Sequence, residues 1–170
     1  AQRVMIHEQA EFIDTEITQP RDFKLERNID PHPFIPAAED LQETCDEILN
    51  IQVMALAKRF AHTHAKTAVI GISGGLDSTM ALLVCVRTFD KLKKDRKDII
   101  GVTMPGFGTT GRTYTNAMAL MKGLGVTIRE IDITKSVKQH FEDIGHDPNV
   151  HDTTYENAQA RERTQVLMDM

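Results

Sequence analysis

The sequence predicts an α/β protein with a Rossmann-like parallel sheet and helices on both of its faces. From residue 68 onward, short apolar runs with strand character alternate with stretches of helical periodicity. The first of these runs leads into a glycine-rich turn followed by a helix. Alternating strands and helices are typical of a parallel sheet, whose ligands bind at the carboxyl ends of the strands. The 170 residues, 41% of them apolar, are enough to bury a core.

Each element is indicated by apolar spacing, by a helix cap or by breaker residues. A long helix is predicted over residues 38–62, where apolar residues recur at spacings of three and four. A loop rich in Gly and Thr over residues 105–111 follows the second strand, and Gly125 closes the third helix. The other predicted elements are strand 68–72, helix 78–89, strand 99–104, helix 113–124, strand 126–133, helix 135–144 and a helix after Asp152.

Residues 1–36 differ in character from the rest of the sequence. Two alternating stretches, residues 3–7 and 11–17, have strand character without an evident partner. Residues 30–36 form an extended connector stiffened by three prolines. We therefore expect a tail and linker over residues 1–36 and the α/β domain over residues 37–170.

Charge, hydropathy and cysteine content exclude several classes of protein. The net charge is −5, and no stripe of Lys and Arg is interleaved with aromatic residues, so nucleic-acid binding is not expected. No secretory signal is evident and no apolar run approaches the ~18 residues that span a bilayer, so no membrane association is expected. Cys45 and Cys85 lie on apolar faces of predicted helices, which predicts buried, reduced thiols and a cytoplasmic setting.

The turn after the first strand has the composition of a phosphate-binding loop. It reads Ser-Gly-Gly-Leu-Asp-Ser over residues 73–78. Gly74 and Gly75 let backbone N–H groups approach an anion, and the following helix directs its positive end toward the same place. Ser73 and Ser78 add hydroxyl donors, whereas Asp77 would repel a phosphate unless a divalent cation lies between them. Asp77 is therefore a candidate magnesium ligand.

This loop matches neither of the two commoner phosphate-binding patterns. It lacks the Gly-x-x-x-x-Gly-Lys-Ser/Thr of loops that grip a γ-phosphate and the Gly-x-Gly-x-x-Gly of dinucleotide sites. It resembles the pyrophosphatase loop of the N-type ATP pyrophosphatases, which have an adenine nucleotide alpha hydrolase-like fold and cleave ATP between its α and β phosphates. The alternative is a tight strand-to-helix turn with a Ser or Asp cap.

Four sequence blocks follow one another along the chain. They are residues 71–78 (GISGGLDS), 104–110 (MPGFGTT), 143–147 (DIGHD) and 154–161 (TYENAQAR). Together and in this order they resemble the NAD synthetase family, and more narrowly the synthetase domain of its long, glutamine-dependent form. The resemblance covers the sequence from about residue 34 to its end, and other ATP pyrophosphatases share only the first block.

The resemblance implies a ligase that forms a carbon–nitrogen bond. The nicotinate carboxylate of deamido-NAD attacks the α-phosphate of ATP, and ammonia from a glutaminase (amidase) domain then displaces AMP to give NAD. ATP and Mg²⁺ are thus implied, as is a homo-oligomer for the full-length protein. Residues 1–36 would be the tail of the amidase-like domain. The later glutamate, lysine and threonine ligands of the family are absent from this sequence, so we expect a C-terminally truncated fragment that is inactive by itself.

Site residues are also implied by the resemblance. Asp77 and Ser73 would act in catalysis, with Asp77 on magnesium, and the backbone of Met104 would meet the adenine edge. Asn157 and Arg161 would contact deamido-NAD; the alternative for these two is a solvated helix face. The loop residues implied to hold ATP are Gly71, Ile72, Ser73, Gly74, Gly75, Leu76, Asp77 and Ser78.

Two other functions remain open at the level of the sequence. One is another ATP pyrophosphatase with a different acceptor, as in GMP synthetase or a tRNA-thiolating enzyme; the lack of a basic face and of Cys-x-x-Cys disfavours tRNA. The other is a nucleotide-binding domain without catalytic activity. Titration with ATP, with and without magnesium, distinguishes a binding from a non-binding domain, and deamido-NAD against XMP distinguishes the acceptors.

Overall fold

The computed structural model describes residues 26–107 and 111–170. The chain divides into two compact units, Ala1–Pro36 and Ala37–Met170. The strands predicted at residues 3–7 and 11–17 lie outside the described residues. The assignment of residues 1–36 to the tail of another domain stays a prediction.

The second unit contains the alternating helices and strands that the sequence predicts. The third strand is shorter than expected and ends at Glu130, although Ile131 N–H and Ile133 N–H still donate to Thr103 O and Pro105 O, at 2.9 and 3.2 Å, before the next helix begins. A short 3-10 turn, Arg96–Asp98, precedes the second strand. The described elements are α1 (Leu41–Thr63), β1 (Ala68–Gly71), α2 (Leu76–Lys91), β2 (Ile99–Thr103), α3 (Gly111–Leu124), β3 (Thr127–Glu130), α4 (Thr134–Ile144) and α5 (Thr153–Asp169).

The three described strands form one parallel sheet in the order β1-β2-β3. Ala68 pairs with Ile99, and Ile100 pairs with Thr127, so each strand lies beside the next one in the sequence. Parallel neighbours need a crossover connection, which α2 and α3 provide. The carboxyl ends of β1 and β2 therefore lie side by side at one edge of the sheet.

Helices cover both faces of this sheet, as the sequence predicts. On one face Phe89 of α2 and Met121 of α3 are fully buried, and Phe60 of α1 packs edge-on against Phe89 with ring centroids 5.1 Å apart. On the other face Val137 and Phe141 of α4 pack with residues of α5 against Val102 and the segment after β3. This second layer is the one that positions the candidate site.

Only the C-terminal half of α1 packs on the sheet-bound helices. Val53, Ala57 and Phe60 are buried, whereas Ile48 is 50% exposed. Cys45, on the same exposed half, is also exposed, so the prediction that it is buried is wrong. The reason is length, since α1 has 23 residues against 16 in α2 and extends about 10 Å further. Cys85 of α2 is half-buried, and burial raises the pKa of its thiol.

Candidate functional site

A cavity of about 610 Å³ opens at the carboxyl ends of β1 and β2. Its floor is formed by the ends of these strands, one wall by the loop before α2, and another wall by α5. This is the edge of a parallel sheet at which ligands are expected to bind. The lining residues are Gly71, Ile72, Ser73, Gly75, Val102, Thr103, Met104, Thr113, Tyr155, Glu156, Gln159, Arg163 and Leu167.

The loop from β1 to α2 turns at a glycine in the left-handed region. Ile72 N–H still donates to Val102 O at 2.8 Å, which continues the pairing one residue past β1. Gly74 then has φ +84°, and a Cβ there would overlap the backbone carbonyl of Thr113 in α3. The loop is thus held against the first turn of α3, and only glycine fits at this position.

Hydroxyl groups and an uncapped helix start converge beyond this turn. Ser73 Oγ and Ser78 Oγ lie 3.2 Å apart, and Ser78 and Thr79 hydroxyls both donate to Gly75 O, at 3.1 and 2.8 Å. Gly75 is the N-cap of α2 and offers no side chain to the N–H groups of the first turn. Unsatisfied N–H groups at a helix start favour an anion.

Asp77 lies in the first turn of α2 with an exposed side chain. It makes no hydrogen bond or ion pair with the part of the chain that the structure describes. Among the same residues no group of three His, Cys, Asp or Glu side chains could hold a metal ion. Magnesium in nucleotide sites is commonly held by one or two carboxylates together with substrate phosphates and water. A single free carboxylate beside a phosphate loop fits such an ion.

The wall formed by α5 was not predicted from the sequence. Tyr155, Gln159, Arg163 and Leu167 recur every four residues and form one stripe that faces the cavity. Gln159 is only 3% exposed, and a Cβ at Gly106 would lie 3.0 Å from its Oε1 and 3.2 Å from Arg163 Nη2. These aromatic, amide, cationic and aliphatic side chains form no sequence motif. Only their four-residue spacing could have indicated that they share one face of α5.

The predicted deamido-NAD residues lie on a different side of α5. Asn157 and Arg161 are exposed and are not among the residues that line the cavity. Of the other predicted residues, Gly71, Ile72, Ser73, Gly75 and Met104 line it. Met104 is only 8% exposed and directly follows β2. Gly74, Leu76, Asp77 and Ser78 belong to the adjoining turn and the start of α2.

The position of α5 is set at its N-terminus. Asp152 Oδ1 accepts hydrogen bonds from Thr154 N at 2.9 Å and Tyr155 N at 3.0 Å, and His146 Nε2 lies 3.0 Å away. The hydrogen bond from the Tyr155 backbone is the main cause that lowers the pKa of Asp152. Phe141 stacks on Tyr155 with ring centroids 5.7 Å apart. The cap and the ring stack together fix the start of α5 against α4.

The cavity has one cationic and one anionic side chain among its lining residues, Arg163 and Glu156. Arg163 makes no hydrogen bond or ion pair with the described residues. Its guanidinium is therefore available to a bound anion, and arginine commonly binds phosphate with two parallel N–H donors.

The sequence profile of the NAD synthase family matches residues 48–170. The chain belongs to the NAD synthase family. The resemblance inferred from the four sequence blocks is thus confirmed, together with the α/β fold of the ATP pyrophosphatases.

Relatives of known name agree with this family. The glutamine-dependent NAD(+) synthetase of Mycobacterium leprae is 43% identical over 146 residues, which cover 83% of this chain and 22% of the relative. That of Thermotoga maritima is 29% identical over 140 residues, covering 79% of this chain and 23% of the relative. The chain thus spans about a fifth of the length of these NAD synthetases.

A solved structure of the family has the same fold. The glutamine-dependent NAD⁺ synthetase of Acinetobacter baumannii in complex with ADP superposes with a TM-score of 0.66 at 26% identity, covering 73% of this chain and 23% of that one. Among the described residues, no helix of this NAD synthase chain has the length and apolarity needed to cross a membrane.

Proposed function

We propose that this chain forms the ATP-binding part of a glutamine-dependent NAD synthetase. The observation that carries the proposal is the cavity at the end of β1 and β2, where Ser73 and Gly75 of the glycine-rich turn and Arg163 of α5 line one space. The relatives that match the chain are several times longer, so the complete reaction belongs to the longer protein. The product would be NAD, with AMP and pyrophosphate released.

The first step activates a poor acyl donor. An oxygen of the nicotinate carboxylate of deamido-NAD attacks the α-phosphorus of ATP, the bond to the β-phosphate oxygen breaks, and pyrophosphate leaves. Ammonia then attacks the carboxyl carbon of the mixed anhydride, the carbon–oxygen bond breaks, AMP leaves, and a proton passes to solvent. Charge grows on the leaving pyrophosphate in the first step, so donors fixed around it before reaction stabilise the transition state.

The residues of the phosphate turn supply those donors. N–H groups of Gly74 and of the first turn of α2 bind phosphate oxygens, with hydroxyls of Ser73 and Ser78 beside them. Asp77 would hold Mg²⁺, which when bound neutralises charge on the leaving phosphates. Arg163 binds the polyphosphate from the opposite wall of the cavity.

The remaining assignments extend this proposal beyond the cavity. The Met104 backbone would meet the adenine edge, and Asn157 and Arg161 would contact deamido-NAD from the exposed side of α5. Ammonia would come from an amidase domain of the longer protein, which we propose is a homo-oligomer. We also propose a cytoplasmic setting, which the unpaired cysteines support.

Calorimetric titration of the 170-residue chain with ATP tests the proposal. We expect binding with magnesium present and a loss of about tenfold or more in affinity when EDTA removes it. Absence of ATP binding at millimolar concentration would contradict the proposal. In a chain extended to the length of the relatives, amidation of deamido-NAD but not of XMP identifies the acceptor.

A further inference from the structure

Gln159 is a buried polar side chain in the wall of the nucleotide cavity. It is 3% exposed and lies on the stripe of α5 that faces the ends of β1 and β2. Buried amides normally have both their donors and their acceptor satisfied. The hydrogen-bond partners of Gln159 therefore indicate whether its role lies within the fold or toward a ligand.

One half of this amide is engaged by the fold and the other is not. Nε2 donates to Tyr155 O at 3.3 Å, one turn earlier in α5. Oε1 accepts no hydrogen bond from the described residues. Rotating the amide by half a turn would bring Oε1 against the Tyr155 carbonyl, which is also an acceptor. The amide is therefore held with its acceptor as the free end.

The free Oε1 lies close to the segment expected to meet adenine. A Cβ on Gly106 would be 3.0 Å from it, and Gly106 is two residues after Met104, which lines the same cavity. ATP carries few hydrogen-bond donors, namely the 6-amino group of adenine and the ribose hydroxyls. Because the proposed function places adenine at the segment that follows β2, the 6-amino group is the donor of ATP that lies nearest to Oε1.

We propose that Gln159 recognises the 6-amino group of the adenine base and disfavours 6-oxo purines. This inference rests on the proposed function, since it assumes that ATP occupies the cavity. Oε1 accepts a hydrogen bond from the 6-amino group of ATP. A 6-oxo purine presents an oxygen at the same place, so two acceptors would face each other while Nε2 stays on Tyr155. Gln159 is thus a specificity-determining residue.

Comparison of ATP with ITP tests the proposal, because ITP differs at the 6 position and at the neighbouring N1. Calorimetric affinities of both nucleotides, with magnesium, are measured for the 170-residue chain and for Gln159→Leu. We expect the ATP-to-ITP affinity ratio to fall by roughly tenfold in Gln159→Leu, mainly through weaker ATP binding. The Met104 backbone can itself favour adenine, so the change in the ratio is the diagnostic quantity.

Two variants serve as matched controls. Gln165→Leu makes the same change on an exposed position of α5 outside the cavity and should leave the ratio unchanged. Arg163→Met should weaken ATP and ITP by similar factors, because their phosphates are identical. If Gln159→Leu fails to fold by circular dichroism, Gly106→Ala displaces the same amide by a Cβ 3.0 Å from Oε1 and should lower the ratio in the same direction.

The outcomes separate this inference from the function on which it rests. If the parent chain binds no ATP, both the proposed function and this inference are overturned. If it binds ATP and the ratio is the same in Gln159→Leu, the inference alone is overturned. If Gln159→Leu instead changes the ratio of the affinities for ATP and 2′-deoxy-ATP, Oε1 contacts a ribose hydroxyl. This result would also overturn the proposed recognition of the base.

Discussion

Gly74 and Gly75 are neighbours in the phosphate turn, and the sequence gives both the same role. The structure separates them. Gly74 has φ +84°, and a Cβ there would overlap the Thr113 carbonyl, whereas a Cβ on Gly75 would meet only Ser73 Oγ at 3.4 Å. We predict that Gly74→Ala lowers the free energy of unfolding by more than about 1–2 kcal/mol, because the steric overlap adds to the cost of a left-handed alanine.

Gly75→Ala is the matched control for this prediction. Its backbone is extended, with φ −85° and ψ 172°, which alanine adopts without strain. Urea unfolding followed by circular dichroism should show a clear loss for Gly74→Ala and a smaller one for Gly75→Ala, whose main cost is an alanine in place of glycine at the N-cap of α2. Equal stability of the two variants would mean that the turn does not depend on the contact with α3.

Asp77 allows a test of the proposed magnesium site. Replacing it by Asn keeps the shape of the side chain and removes the charge, and no hydrogen bond or ion pair with the described residues is lost. We predict a melting temperature lowered only slightly, through the weaker interaction with the dipole of α2, and an ATP affinity that responds far less to magnesium than that of the parent. Calorimetry with and without EDTA measures this response. If Mg-ATP binds both proteins equally, Asp77 only favours the helix start.

The residue scale also shows which parts of the site could be predicted. The phosphate turn could be predicted from the sequence because its glycines, hydroxyls and carboxylate stand together within six residues. The roles of Gln159 and Arg163 could not be predicted in this way. Their importance depends on which face of α5 meets the sheet, and this is decided by tertiary packing rather than by any local pattern.

At the scale of the elements, α5 depends on its cap. Asp152 accepts backbone hydrogen bonds at the start of the helix that forms the cavity wall, and its pKa is lowered chiefly by the Tyr155 N–H. A carboxyl group whose pKa is lower in the folded chain than in the unfolded chain stabilises the fold at any pH above the unfolded value. This stabilisation is lost as the pH falls through the folded value. We predict that Asp152→Asn is less stable than the parent at pH 7, and that this difference begins to shrink below about pH 4 and vanishes only below the lowered folded pKa.

Urea unfolding between pH 7 and about pH 3 measures this difference. Asp169→Asn is the control, because Asp169 lies in the last turn of the same helix, where a carboxylate opposes the helix dipole. It should be as stable as the parent or slightly more so at pH 7. A difference that does not shrink as the pH falls below about 4 would mean that the charge of Asp152 is not its cause. No difference at pH 7 would mean that the cap acts through shape alone.

The ends of helices were predicted correctly from the sequence where a glycine or a capping residue marks them. The ends of α3 and α4 at Leu124 and Ile144 agree with prediction, since Gly125 and Gly145 follow them with positive φ. A buried face was predicted for the whole length of α1 and is confirmed only for its second half. Apolar periodicity identifies the face of a helix that can be buried, but the extent of burial depends on the length of its neighbour, as with Cys45.

At the scale of the whole molecule, α5 presents two different surfaces. Its inner stripe, which includes Arg163, lines the cavity at the ends of β1 and β2, and its outer surface carries Asn157 and Arg161 in solvent. The proposed function assigns ATP to the inner stripe and deamido-NAD to the outer surface. One helix would then contact ATP on its inner side and another part of the extended deamido-NAD molecule on its outer side, while the nicotinate carboxylate reaches the α-phosphate in the cavity. Each arginine would contact only one of the two substrates.

A crossed pair of substitutions tests this division in a chain extended to the length of its relatives. We predict that Arg161→Ala weakens deamido-NAD binding about tenfold to hundredfold, as expected for a charge-assisted hydrogen bond worth roughly 1.5–3 kcal/mol, and leaves ATP affinity nearly unchanged. Arg163→Ala should do the reverse, because its guanidinium lies in the cavity. Calorimetry of both ligands on both variants provides four affinities. If Arg161→Ala binds deamido-NAD as the parent does, Arg161 is a solvated residue and the acceptor must bind elsewhere.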